Sequence, residues 1–168
     1  KFPRVETVLA SIKEKYEYVG KTFSIVVPEK IEQIIEEGQA LKHCLDRSDR
    51  YFERIANQES YIVFLRRTKA MEQPYYTLEI EPDGTTRQKR TVGDNQNNDY
   101  RRAEKFLKKW QAAIRPRLSQ EDFERQEISR QLRMYELESL RNDKVTVHGG
   151  IHAGELLADI LEADLMEA

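Results

Sequence analysis

Residues 74–92, PYYTLEIEPDGTTRQKRTV, constrain this chain more than any other stretch. Tyr76, Leu78 and Ile80 alternate with Tyr75, Thr77 and Glu79, which is the two-residue period of a strand. EPDG (81–84) follows: proline presets φ, and Asp83 and Gly84 suit the bend. TTRQKRTV (85–92) then returns as a polar strand. Immediately upstream, YIVFLRR (61–67) is a third run rich in β-branched and aromatic residues. The three predict an antiparallel meander. TFSIVV (22–27) predicts one further strand nearer the N-terminus.

Such a sheet has to be covered, and the helical periodicities show by what. Val5, Val8, Leu9, Ile12 and Tyr16 share one face of a helix that Gly20 ends. Pro28 suits the first turn of the next, which carries Ile31, Ile34 and Ile35. Continuing that face past Gly38 would put Lys42 in the apolar stripe. Gly38 is therefore expected to be a break or a close-contact point, and a new register after it puts Ala40, Leu41, Cys44 and Leu45 on one inner face and His43 at its edge. Residues 46–60 predict a loop and a short helix anchored by Tyr51, Phe52 and Ile55. Tyr100, Ala103, Leu107, Trp110 and Ile114 mark a helix over 100–114 with bases on its other sides. Beyond Pro116, Ser119 and Asp122 form a capping-box pattern opening a helix to about Arg141. KVTV (144–147) reads as an edge strand, HGG (148–150) as a turn, and residues 151–167 as an acidic helix.

The expectation is an α+β fold: a small, mainly antiparallel sheet flanked by helices. Residues 1–117 form the α+β domain and 118–168 a helical C-terminal extension packed on it. No apolar run reaches the roughly 18 residues of a membrane span. A single cysteine excludes an internal disulfide and a Cys-rich zinc site. These point to a cytosolic protein. The first residues, KFPRVETVLA, hold no signal-peptide core and no starting Met, as in a domain excised from a longer chain.

The net charge of −2 conceals a split. Residues 84–117 hold ten bases against three acids, whereas 118–168 hold twelve acids against five bases. Arg87, Lys89, Arg90, Arg101, Arg102, Lys105, Lys108 and Lys109 are thus candidate contacts for DNA, RNA or an acidic protein, with Tyr75 as an aromatic platform. The two halves pairing with each other would account for the same split.

Chemistry is harder to place. His43 and Cys44 point about 100° apart on a helix and cannot act as one nucleophile pair. His148 and His152 could join them on zinc, but the spacing is not that of a zinc finger, and no metal or cofactor is expected. Phosphate-loop, Rossmann, HExxH and GxSxG patterns are absent. An enzymatic reading, a group-transfer enzyme acting on a nucleotide such as an ADP-ribosyltransferase-like protein, would use His43 as acid/base, with Glu79, Arg66 and Gln88 orienting the substrate. Arg66 and Glu79 could also pair across strands, which alone would be a structural reason for both. A third reading is a scaffold that docks partners through acidic C-terminal helices.

FSIVVP, EGQALKHC, YIVFLRR, PYYTLEIEPDG, RQKRTVGDNQN and FLKKW together resemble the PcfJ-like family of conjugative plasmids, integrative elements and phages. Gly38, His43, Cys44, Arg66, Thr77, Glu79, Gln88, Gly93 and Asn95 stand where that family's motif residues are expected. The resemblance covers residues 23–110 and implies a mobile-element protein linked to DNA transfer or host defence. It implies no particular activity and does not extend past about residue 117.

Overall fold

The computed structural model describes residues 2–40, 49–91 and 100–168. Five strands form one antiparallel sheet in chain order: β1 Tyr18–Val19, β2 Phe23–Val26, β3 Tyr61–Arg67, β4 Tyr76–Ile80 and β5 Thr86–Arg90. The described residues also form six α-helices: α1 Pro3–Tyr16, α2 Ile31–Ala40, α3 Asp49–Ala56, α4 Tyr100–Ile114, α5 Gln120–Asn142 and α6 Leu157–Asp164. The chain therefore has the expected α+β fold, with the two-residue β1 as an added edge. No described helix is long and apolar enough to cross a membrane.

Register explains why the two sides of the sheet differ. Tyr61 pairs with Ile80, Val63 with Leu78 and Leu65 with Tyr76, so these apolar side chains share one side. Phe23 and Ile25 of β2 fall on the same side. Helix α4 lies against it, with Phe106 on Phe23 at 5.6 Å between ring centres. Leu107, Trp110 and Ile114 are fully buried. The opposite side carries Ser24, Arg66, Thr77 and Glu79, and helices α2, α3 and α5 send charged side chains to it. Burial on both sides makes every residue of β4 inaccessible, Thr77 and Glu79 included.

Three local expectations change. Helix α2 runs through Gly38 to Ala40 without a break; Gly38 is buried, and the expected register of Leu41, Cys44 and Leu45 lies outside the described residues. One glycine costs a helix only about 1 kcal/mol, and the neighbouring Glu37 is held by Arg66. KVTV contributes a single bridge, Thr146 to Leu156, rather than a strand. The last helix starts at Leu157, not 151. The chain before it turns back through Gly154 at φ +86°, and Gly154 and Glu155 bond to Val147. The predicted capping box does form: Ser119 accepts from the Asp122 amide at 3.2 Å, and Asp122 accepts from the Ser119 amide at 2.8 Å.

The β4–β5 turn locks these layers together. Gly84 N–H donates to Glu81 O at 2.8 Å, and Gly84 sits at φ +92°. Tyr16 of α1 donates its hydroxyl to Pro82 O at 2.7 Å, and Gln111 of α4 donates to Gly84 O at 2.9 Å. A Cβ on Gly84 would meet Ile114 at 2.9 Å. Gly84→Ala therefore combines left-handed strain, about 1–2 kcal/mol, with a steric clash. Its urea midpoint should fall by at least that equivalent, whereas Asp83→Asn should stay close to the parent.

Candidate functional site

The polar side of β4 is built from two acids at strand spacing. Glu79 and Glu81 project the same way and are 2 % and 0 % exposed. Bare carboxylates at that depth would be very costly, so each needs a set of donors. Glu79 takes Arg54 Nε at 2.7 Å and Nη2 at 3.3 Å, the Ser60 hydroxyl at 2.5 Å and the Gln88 amide at 3.1 Å. Glu81 takes Arg87 Nε at 2.6 Å, Arg133 Nε at 2.7 Å and Nη2 at 3.2 Å, and the Gln126 amide at 2.8 Å. Arg87 also reaches Glu59 at 3.0 Å and the Ser129 carbonyl at 3.0 Å.

A β-bulge makes this possible. Ile80 pairs with Thr86 and Glu79 with Gln88, so Arg87 is one extra residue in β5. Strict alternation would place Arg87 and Gln88 on opposite sides. With the bulge both reach the Glu79–Glu81 side, while Lys89 opposes Leu78 on the other. Tyr51 of α3 adds its hydroxyl to Gln88, and burial foremost raises its pKa above that of an ordinary phenol.

The sequence-predicted residues divide accordingly. Glu79 and Gln88 do meet. Arg66 does not join them: it opposes Ser24 in the register and grips Glu37 of α2 at 2.5 and 2.8 Å. Its place on β3 is four residues from Ile62, the partner of Glu79, roughly 13 Å along the strand. The expected Arg66–Glu79 pair is thus replaced by two separate pairs. His43, with Cys44, lies outside the described residues. His148 is exposed, and His152 contacts Glu155 at 2.6 Å.

Among the bases, Arg87 is buried in the network, and the Lys89 side chain, 4 % exposed, has its ammonium held by Asp164. Neither faces a ligand on the surface as expected. Arg90 is half-buried and donates to Gln88 at 2.9 Å. Tyr75 is buried with Arg67 stacked over its ring, so it is no open platform. Arg101, Arg102, Lys105, Lys108 and Lys109 are all exposed on α4.

Sequence reasoning missed Arg54, Ser60 and Arg133. One signal was present for Arg133: Asp122, Gln126, Ser129 and Arg133 recur at spacings of 4, 3 and 4, a polar stripe on one side of α5. It went unread because such a stripe ordinarily faces water.

Chemically, the network is an anchor with its acceptors filled. The space left among Arg54, Glu79, Gln88, Arg133, Leu161 and Leu165 is about 30 Å³. That holds a water or two but no nucleotide. No described group of three or more His, Cys, Asp or Glu side chains could hold a metal ion.

Burial raises the Glu81 pKa, but the hydrogen bond from Arg133, the charge and hydrogen bond of Arg87 and the Gln126 amide outweigh it and hold the carboxyl low. Burial likewise raises Asp122, and Lys15 and Ser119 outweigh it. With folded pKa values below the unfolded ones, the unfolded chain binds protons first as pH falls. Their stabilisation is complete above about pH 4.5 and is lost on descending through the folded values. Glu81→Gln, which strands buried guanidinium charge, should cost about 3–5 kcal/mol. Urea denaturation between pH 7 and pH 3 should also show a shallower acid decline for the variant than for the parent.

The family model for PcfJ-like protein matches residues 4–105, a span that includes all of α1 but Pro3, all five strands and the start of α4. No curated protein and no solved structure matches the chain. The matched span is more than half of the 168 residues and holds Glu79, Glu81, Arg87 and Gln88, and this chain belongs to the PcfJ-like family.

Proposed function

We propose that this chain is a non-enzymatic module that binds nucleic acid through the outer side of α4, in the mobile-element setting that the family resemblance implies. The observation that carries the reading is the arrangement of Arg101, Arg102, Lys105, Lys108 and Lys109, all exposed. At 100° per residue they span an arc of about 120° directly opposite buried Ala103, Leu107, Trp110 and Ile114. The helix is about 22 Å long, so the cations can follow several successive phosphates. Ala112 is the only apolar residue on that arc. A protein interface needs an apolar centre, whereas a cationic side without one suits phosphates, whose binding is driven by counterion release.

Glu79, Arg66 and Gln88 give less support to a group-transfer site. Glu79 is saturated with donors and Arg66 is committed to Glu37.

Fluorescence anisotropy with labelled duplex and single-stranded oligonucleotides tests the proposal. Binding at about 50 mM salt should weaken as salt rises, with a log–log slope of up to about −4.5 on duplex if all five cations take part. Lys105→Gln/Lys109→Gln should reduce that slope by about 2. Gln substitution of half-buried Arg90 should change it less. Absence of binding at low salt, or an unchanged slope in the double variant, rejects the reading.

A further inference from the structure

Helix α5 is amphipathic in the reverse of the usual sense. Its inward side carries Asp122, Gln126, Ser129 and Arg133, which bond to Lys15, Glu81, Arg87 and the Glu59 carbonyl. Its outward side carries Ile128, Leu132 and Tyr135 at spacings of 4 and 3, exposed by 59, 44 and 71 %. Met134, 49 % exposed, lies about 100° around the helix from Tyr135 and is not part of this stripe. Four of the six large apolar side chains exposed among the described residues are therefore on this helix. A single exposed leucine means little, but a contiguous stripe marks an interaction surface.

The border of the stripe identifies the partner. Glu121, Glu124, Glu127 and Glu138 are exposed alongside it. The nearest bases are offset by those acids: Arg125 pairs with Glu121 at 2.5 Å and Arg130 with Glu127 at 3.6 Å. A second copy of α5 fits poorly. Antiparallel packing centred on Gln131 sets Glu124 against Glu138, and parallel packing sets each acid against itself. We infer that the outer side of α5 docks a basic amphipathic helix of a partner protein. Apolar residues at alternating spacings of three and four would cover Ile128, Leu132 and Tyr135, and flanking Lys or Arg would meet Glu124 and Glu138, the two glutamates not engaged by Arg125 or Arg130. The site is separate from the cationic arc of α4 and does not depend on nucleic-acid binding.

The test uses the whole folded chain and three synthetic helical peptides of about 20 residues. One has a leucine stripe with Lys/Arg flanks. The second has the same stripe with Glu flanks. The third has the composition of the first, scrambled to destroy the stripe. Calorimetry should show binding of the first alone. Leu132→Asp/Tyr135→Asp should weaken it by roughly tenfold or more, with thermal unfolding close to the parent because both residues are exposed. Equal binding of the scrambled peptide, or unchanged affinity in the double variant, overturns the inference. So does sedimentation that shows a dimer of the chain dissolved by the same substitutions, since the occupant is then a second copy.

Discussion

Everything on the polar side of the sheet depends on two buried carboxylates and the guanidinium groups that neutralise them. Glu79 comes from β4 and Glu81 from the first residue after it, Arg54 from α3, Arg87 from β5 and Arg133 from α5. A buried charge network is stabilising only when complete, because every member left without its partner carries a large desolvation cost. The helices α3 and α5 are consequently fixed in position by chemistry as much as by shape. Apolar packing alone would tolerate sliding, whereas bidentate guanidinium–carboxylate geometry does not. The other side of the sheet has the ordinary arrangement of apolar strands under an apolar helix.

Much of this was readable in the sequence wherever the determining contacts are local. The EPDG turn, the alternation of β4, the stripe of α4 and the Ser119–Asp122 cap each involve residues within a few positions of one another. They appear with the expected boundaries, give or take a residue. The network was not readable, because Glu79 and Glu81 find Arg54 and Arg133 at separations of 25 and 52 residues. A charged residue in a polar strand is assigned to water unless its distant partner is known. For that reason the sequence pattern alone assigns Arg87 and Lys89 to the surface. The candidate site was half legible for the same reason. Glu79 and Gln88 lie in paired strands and meet, but the fate of Arg66 was decided by Glu37 on α2.

The charge split between the two parts of the chain has a mixed origin. Lys89 with Asp164, Arg87 with the Ser129 carbonyl and Lys108 with the Glu167 carbonyl show the basic segment meeting the acidic one. The carbonyl contacts do not consume acidic charge, and most of the α4 cations remain at the surface. The acids of α5 also remain, around an apolar stripe. Opposite charges therefore survive on two separate helices instead of cancelling, which gives this chain two chemically distinct outer sides.

The bulge in β5 carries a consequence for how this strand can vary. Alternation along a strand is a phase, and the extra residue at Arg87 shifts that phase by one step. Before the shift, Thr86 pairs its backbone with Met166 at the edge; after it, the Lys89 amide and ammonium take Asp164. The same strand thus serves the carboxylates of β4 and tethers the C-terminal segment at two points. Loss of the extra residue would return the ladder to strict alternation, with Gln88 and Lys89 still opposite Glu79 and Leu78. It would remove the guanidinium that reaches Glu81, Glu59 and the Ser129 carbonyl. The insertion in this strand is thus what supplies a second polar side chain to the buried side without disturbing the pairing on either flank.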